Sequence, residues 1–251
     1  GYTSLFRAEN RPQECNCFPG SSFFQKDGNG CIENFLRDYQ AQYAKTDGRG
    51  YISLPTGNHD MPRLAYHRTL PEIADCFVFL LTMPGVPFVY YGDEIGMPYI
   101  PELPSKEGGF SRTGARTPMQ WTNGKNAGFS EADADALYLP VNEHGVSVQA
   151  QMAQGDSLLR TVQKLIALRK SSPALCADGR VEFLNRRHGG YPLVYRRYDE
   201  HEEYTVCINP LDEAREYALD GKWETALAHD AALENGTVQL QPFGYVILKK
   251  A

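Results

Sequence analysis

Residues 51–91 constrain what this chain can fold into more than any other stretch. Tyr51-Ile52-Ser53-Leu54 reads as a short strand stopped by Pro55. Glu72 to Met83 is apolar on most sides, is long enough for a buried helix, and has Pro71 suited to its first turn. Met83-Pro84-Gly85 breaks that helix. Val86 to Tyr91 follows as a continuous apolar run, the pattern of a strand covered on both faces. Strand, helix and strand in that order predict the parallel βαβ unit of an α/β protein.

The flanks extend this reading. Residues 1–30 carry turn chemistry, as in Asn10-Arg11-Pro12 and Asp27-Gly28-Asn29-Gly30. Ile32, Phe35, Leu36, Tyr39 and Tyr43 then fall on one helical face. Residues 97–156 are rich in Gly and Pro and show no period, and a loop of that length is usually functional. Asp156 is expected to cap a helix with Leu158, Leu159, Val162, Leu165 and Ile166 inward, ending at Ser171-Ser172-Pro173. Beyond that the texture changes. Short strand candidates, from Val181–Leu184 to Tyr245–Lys249, alternate with turn residues at the spacing of a β-sandwich. The expected division is residues 1–175 as one α/β region and 176–251 as an antiparallel β-sandwich.

Charge and cysteines narrow the function classes. The formal net charge is −6, and Lys and Arg are not clustered, which argues against nucleic acid as partner. No stretch approaches 18 uninterrupted apolar residues, so no membrane span is predicted. The first residues lack the basic and apolar regions of a signal peptide. Six cysteines stand at 15, 17, 31, 76, 176 and 207. Cys15-x-Cys17 is too tight for the usual zinc pair and no second pair follows, so free thiols, no metal and a cytoplasmic location are expected.

Three constellations could carry chemistry. Gly57-Asn58-His59-Asp60 directly follows the first strand, and in a barrel of parallel strands such loops form the active face. Asp60 there could stabilise positive charge on a sugar ring, with Asn58, His59 and Arg63 binding hydroxyls. A plain turn with a capping Asp has the same pattern. Asp93-Glu94 follows the second strand, but adjacent residues of an extended strand point to opposite faces, so a structural role is favoured. Arg112 to Trp121 offers two arginines, Gln120 and Trp121 in a long loop. That suits a carbohydrate, or equally a loop anchored by its own aromatic.

These motifs together resemble the α-amylase superfamily of glycoside hydrolases. The resemblance rests on Asn58-His59-Asp60, Gly85 through Glu94, Ala115-Arg116-Thr117-Pro118-Met119-Gln120-Trp121, Asn126-Ala127-Gly128-Phe129-Ser130 and Leu165 through Lys170, in family order. The later motifs are similar to the α-glucosidase and oligo-1,6-glucosidase members. The resemblance implies a (β/α)8 barrel followed by a β-sandwich, and a retaining reaction on α-glucosidic bonds of oligosaccharides. It matches Asp60 to the carboxylate that steadies the transition state. It matches His59 and Arg63 to substrate-binding positions, with Asn58 and Arg116 beside them.

No cofactor is implied. Calcium occurs in the family, but no acidic cluster here argues for it. The residues after Asn58-His59-Asp60 depart from the pattern of trehalose synthases. The family's nucleophile lies in a Gly-x-Arg-x-Asp pattern, which does not occur upstream of Asn58, and Glu9 and Glu14 lack the strand that precedes an acid/base Glu. The chain is therefore expected to be the C-terminal part of a longer enzyme, inactive alone. Its cut barrel and apolar 72–83 helix are expected to leave surfaces that repack or self-associate. A transglycosylase of the trehalose synthase type and a non-catalytic carbohydrate-binding relative are the alternatives.

Overall fold

The computed structural model of this chain describes residues 24–25, 32–46, 48–106, 113–142, 146–185 and 191–251. Cys15, Cys17, Cys31, Glu9, Glu14 and Arg112 lie outside the described residues. Helix α1 (Ile32–Thr46) buries the expected face: Ile32, Phe35, Leu36 and Tyr39 are all in the core. The βαβ unit follows as β1 (Ser53–Pro55), α2 (Leu70–Thr82) and β2 (Val86–Phe88), with β1 and β2 parallel in the register Ser53↔Val86 to Pro55↔Phe88. Thr69 and Glu72 start α2 with reciprocal capping bonds and Pro71 lies in its first turn. The two strands meet closely because residue 85 is glycine. Its φ is +90°, and a Cβ there would run into the carbonyl oxygen of Ile52.

Two expectations about this unit are corrected. The second strand ends at Phe88 rather than Tyr91 and is not covered on both faces: Val86, Phe88 and Val89 are exposed. β1 is its only paired neighbour among the described residues. The helix, in contrast, is not left half in water. Every residue from Glu72 to Thr82 is buried. It is covered by α4 (Leu158–Ser171) and by one face of the C-terminal sheet. Ser157, not Asp156, caps α4, its hydroxyl accepting from the Arg160 N–H. Between these elements, the long 97–156 loop carries the short α-helix α3 (Val148–Met152) and 3-10 turns at Thr113–Ala115, Lys125–Gly128 and Ala134–Ala136.

The C-terminal strands are β3 (Arg180–Phe183), β4 (Leu193–Tyr198), β5 (Glu203–Ile208), β6 (Arg215–Ala218), β7 (Trp223–Glu234) and β8 (Thr237–Lys250). They form one antiparallel sheet in the order β3-β4-β5-β8-β6, with β7 also on β8. The two layers expected of a sandwich are the two halves of this curled sheet. The C-terminal half of β8 pairs with β5, and its N-terminal half pairs with β6.

β8 runs through Pro242 as one strand with a bend. Phe243 takes φ 57° there, and Asp230 takes φ 46° at the bulge opposite on β7. Gly244 lets the two backbones close at that corner, since a Cβ would crowd the Asp230 carbonyl. Val194, Cys207, Leu219, Val238, Leu240, Val246 and Leu248 fill the inside of the curl. The outer face, including Tyr195, Val206, Ile208 and Ile247, packs on α2 in one core with α1 and α4. Cys76 and Cys207 are buried free thiols, as expected, and Cys176 is free and half-buried. No helix among the described residues is long and apolar enough to cross a membrane.

Candidate active site

Both loops that leave the carboxyl ends of β1 and β2 emerge on the same side, because the strands are parallel. Thr56 extends the pairing by one bond, its N–H donating to the Phe88 carbonyl at 2.9 Å. The chain then turns. Asn58 Oδ1 accepts from the Asp60 N–H at 2.8 Å, an Asx-turn that the sequence alone could equally assign to a plain loop. The turn lifts two side chains into solvent: His59 is 64% exposed and Asp60 is 47% exposed.

Arg116, from the long loop, closes onto this turn. Its Nε donates to the His59 carbonyl at 2.9 Å and its Nη2 to Asp60 Oδ1 at 3.1 Å. His59 Nε2 lies 3.4 Å from Asp60 Oδ2. The structure therefore brings Asn58, His59, Asp60 and Arg116 together. The Asp60 carboxylate is held from both sides and presented outward. Such a group can stabilise developing positive charge while neighbouring donors hold hydroxyls.

Arg63 is not at that surface. It is 2% exposed, and its guanidinium stacks beneath the site on the rings of Tyr91 and Tyr90, 4.6 and 5.2 Å from their centroids. Its Nη1 donates to the Tyr91 carbonyl at 2.5 Å and Nη2 reaches Thr117 O at 3.5 Å. In this structure it ties three loops together.

Asp93 does the same from the other side, in keeping with the structural role expected for it. It is fully buried; Oδ2 accepts from the Thr56 hydroxyl at 2.6 Å and Oδ1 from the Leu64 N–H at 3.3 Å. Thr56 Oγ1 in turn accepts from the Tyr90 N–H at 2.9 Å. Burial pushes the Asp93 carboxyl up to about 6, against the pull of the Thr56 bond, the Arg63 charge and the Leu64 N–H. Glu94, next in sequence, has its carboxyl raised by burial, and its Oε2 is buried without a hydrogen-bond partner among the described residues. Thr56 is the site residue that sequence reading passed over. Its only signal was its place immediately after a strand.

The Arg116–Trp121 loop is anchored by Met119, which packs with Ile95, Met97 and Leu159. Gln120 is buried too, donating to the Asn142 carbonyl, so it faces away from any sugar in solvent. Trp121 is half exposed. The loop's own aromatic is thus not its anchor. Among the described residues no group of His, Cys, Asp or Glu is arranged to hold a metal ion.

A family model described as the alpha amylase catalytic domain matches residues 30–178. A trehalose synthase/amylase of Mycolicibacterium smegmatis is 39% identical over 145 residues, 55% of this chain and 23% of the relative. A glucan 1,6-alpha-glucosidase of Streptococcus pneumoniae is 28% identical over 243 residues, 83% of this chain and 44% of the relative. An isomaltulose synthase of Erwinia rhapontici superimposes with a TM-score of 0.76 at 22% identity, over 88% of this chain and 46% of the other. The chain thus spans less than half the length of these proteins. The fold is a partial TIM-type barrel with an antiparallel β domain. Trehalose synthases and glucosidases thus stand together among the chain's relatives.

Proposed function

The chain belongs to the alpha-amylase family, and from that premise we propose that it is part of a retaining enzyme acting on α-glucosidic bonds of oligosaccharides. In this reading residues 1–175 belong to the catalytic barrel and 176–251 to its β domain. The observation that carries it is Asp60. Its carboxylate leaves the carboxyl end of a parallel strand, projects into solvent, and is fixed between Arg116 and His59. A fixed anionic oxygen at that place stabilises an oxocarbenium-like transition state more than the neutral ground state, which is what accelerates the chemical step. His59, Asn58 and Arg116 supply hydrogen bonds to ring hydroxyls. Arg63 supports the site from below through Tyr91 and Thr117.

The test is Asp60→Asn in the longer enzyme that carries this sequence. Loss of a transition-state charge interaction should lower kcat by about 100- to 1000-fold, with the circular dichroism and melting temperature unchanged. A variant with near-normal kcat would return Asp60 to a turn-capping role. The 251-residue chain by itself is expected not to hydrolyse an aryl α-glucoside, because it lacks the Gly-x-Arg-x-Asp pattern of the family's nucleophile.

A second reading, glucosyl transfer rather than hydrolysis, is favoured by the trehalose synthase relative. Both readings share Asp60 and its neighbours. Product analysis separates them: free glucose alone from maltose means hydrolysis, and a new disaccharide means transfer.

A further inference from the structure

The turn that leaves β2 grips the two loops of the site at matched points. Asp93 holds both ends of the segment that carries Asn58, His59 and Asp60. Its Oδ2 accepts from the Thr56 hydroxyl, one residue before Gly57, and its Oδ1 from the Leu64 N–H, one residue after Arg63. Tyr90 and Tyr91 hold the second loop in the same way. The Tyr90 hydroxyl donates to the Ala115 carbonyl at 3.1 Å, and the Tyr91 hydroxyl to the Thr117 carbonyl at 2.7 Å. Those carbonyls flank Arg116, which itself donates to Asp60. The Tyr90 N–H donates to Thr56 Oγ1 and so joins the two grips.

The grip of Asp93 depends on its charge. An ionised carboxylate only accepts, which suits the two donors that face it. A neutral carboxyl carries a proton on one oxygen. Towards Leu64 that proton would meet another donor. Towards Thr56 it must go to Oγ1, which already accepts from Tyr90, and the Thr56 proton then loses its acceptor. Burial raises the Asp93 carboxyl to about 6. The charged or titratable groups around it are Arg63 and Arg68 from the segment between β1 and α2, Cys76 on α2, and Tyr90 and Glu94 on its own turn. Burial pushes the Cys76 thiol to about 12 and the Tyr90 phenol upward, so neither changes charge near neutral pH.

We propose that Asp93 is a positioning residue for the reaction at Asp60. Its carboxylate fixes both ends of the Asp60 segment and, through Thr56 and Tyr90, ties that segment to the loop that carries Arg116. A charge that must meet a transition state gains from being held at one place before the reaction begins. The proposal rests on the reading of Asp60 given above.

The first experiment needs no turnover. The 15N-labelled 251-residue chain is titrated by NMR from pH 5 to pH 7.5, with His59→Gln so that the imidazole beside Asp60 does not contribute. The Leu64, Tyr90 and Asp60 amides and the Arg116 Nε–H should share one inflection near 6. Asp93→Asn should remove it from all four, and Glu94→Gln should leave it in place. If Asp93→Asn fails to fold, Tyr90→Phe serves instead: it cuts only the bond to Ala115, so the inflection should fade at Arg116 and persist at Asp60. Asp60 and Arg116 signals that stay flat while Leu64 titrates overturn the proposal, as does a Leu64 amide with no inflection.

The second experiment is kinetic and uses the longer enzyme. At pH 7, Asp93→Asn should lower kcat about tenfold and leave KM within about twofold, because the loss falls on the transition state. The ratio of wild-type to variant kcat should shrink towards one at pH 5, where the wild-type carboxyl is itself neutral. Over the same rise in pH the variant should gain stability relative to the wild type, whereas a purely structural tie would lose activity and stability together. A shared inflection with a kcat ratio that stays flat with pH overturns the positioning role. A longer enzyme that turns over no α-glucoside in either form fails the reading of Asp60 instead.

Discussion

Two buried guanidinium groups hold this molecule together in opposite ways. Arg197 sits at the joint between α2 and the β domain, completely buried. Its Nε donates to Arg180 O at 3.0 Å, its Nη2 to Cys176 O and Gly179 O at 2.8 and 3.0 Å, and its Nη1 to Thr82 O. Arg169 works beside it, donating to Leu81, Met83 and Gly85 carbonyls at 2.7 to 2.9 Å. The last carbonyls of α2, which a helix end leaves without partners, are thereby satisfied.

Arg63, under the candidate active site, is as deeply buried but more thinly paired. Its Nε has no partner among the described residues, one Nη bonds to the Tyr91 carbonyl, the other reaches Thr117 O at a long 3.5 Å, and two tyrosine rings supply the rest. The joint is a saturated polar network wrapped by core. The site is a loop cluster propped by one arginine and one aspartate and open to solvent above. Stability is concentrated away from the site, as expected where loops must admit a ligand.

The largest expected effect lies at the joint. Arg197→Leu strips a charged donor from the carbonyls of Thr82, Cys176, Gly179 and Arg180 and leaves them buried. The loss should be about 3–5 kcal/mol, read as a drop in the urea midpoint or failure to fold. A loss below about 1 kcal/mol would show that the joint is held by apolar packing alone, and the contrast with Arg63 would collapse.

Much of the joint's framework was legible in the sequence, and the reason is periodicity. The α1 face from Ile32 to Tyr43 and the apolar α2 follow from spacing alone, because burial on a helix is written every three or four residues. What covers α2 was not legible. The outer face of β4, β5 and β8 lies more than 100 residues away, and no local pattern records that contact. The course of β8 was not legible either: Pro242 and Gly244 carry turn chemistry, whereas here they make a corner within one strand. At the site, the motif order located Asn58, His59, Asp60 and Arg116. It did not separate them from Arg63, whose burial depends on Tyr90 and Tyr91 folding over it.

Asp93 sharpens the comparison through pH. Its folded carboxyl titrates near 6, above the ordinary 3.8. Such a raised acid costs nothing below the unfolded value. It lowers stability progressively as pH rises through 6, and the whole cost is present above that. Two units correspond to about 3 kcal/mol. The difference in unfolding free energy between Asp93→Asn and the wild type should therefore move in favour of the variant by up to about that amount between pH 4 and pH 7. Any constant offset from the altered Thr56 and Leu64 bonds drops out of that slope. Parallel stability curves would mean that the Thr56 and Leu64 bonds and the Arg63 charge offset the burial of the Asp93 carboxylate in full.

Arg63→Lys tests how much of the site depends on shape rather than charge. Lysine keeps the positive charge near Asp93 but loses the planar fork and the stacking on Tyr91. The cost to global stability should be about 1–2 kcal/mol, well below that at Arg197. It should be accompanied by faster hydrogen exchange at the Leu64 and Tyr90 amides, whose acceptors are Asp93 and Thr56. A global loss matching that of Arg197→Leu would erase the distinction between the two regions.

The smallest effect concerns how the site side is tied back to the core. Gln151 Nε2 donates to Ile95 O at 2.7 Å, its Oε1 accepts from the Leu159 N–H at 2.9 Å, and the Ser157 hydroxyl donates to Gln151 O at 2.8 Å. The start of α4 therefore anchors the turn that contains Asp93. Ser157 also accepts from Arg160 N–H, which satisfies one of the helix's orphan donors. Ser157→Ala should cost about 1 kcal/mol. Asp156→Ala, at the position the sequence suggested for the cap, should change stability by less than about 0.5 kcal/mol. If the two costs were reversed, the helix would begin one residue earlier and the link from Gln151 to the site loop would have to be redrawn. If Ser157→Ala also speeds exchange at Ile95, the cap steadies the site as well as the helix.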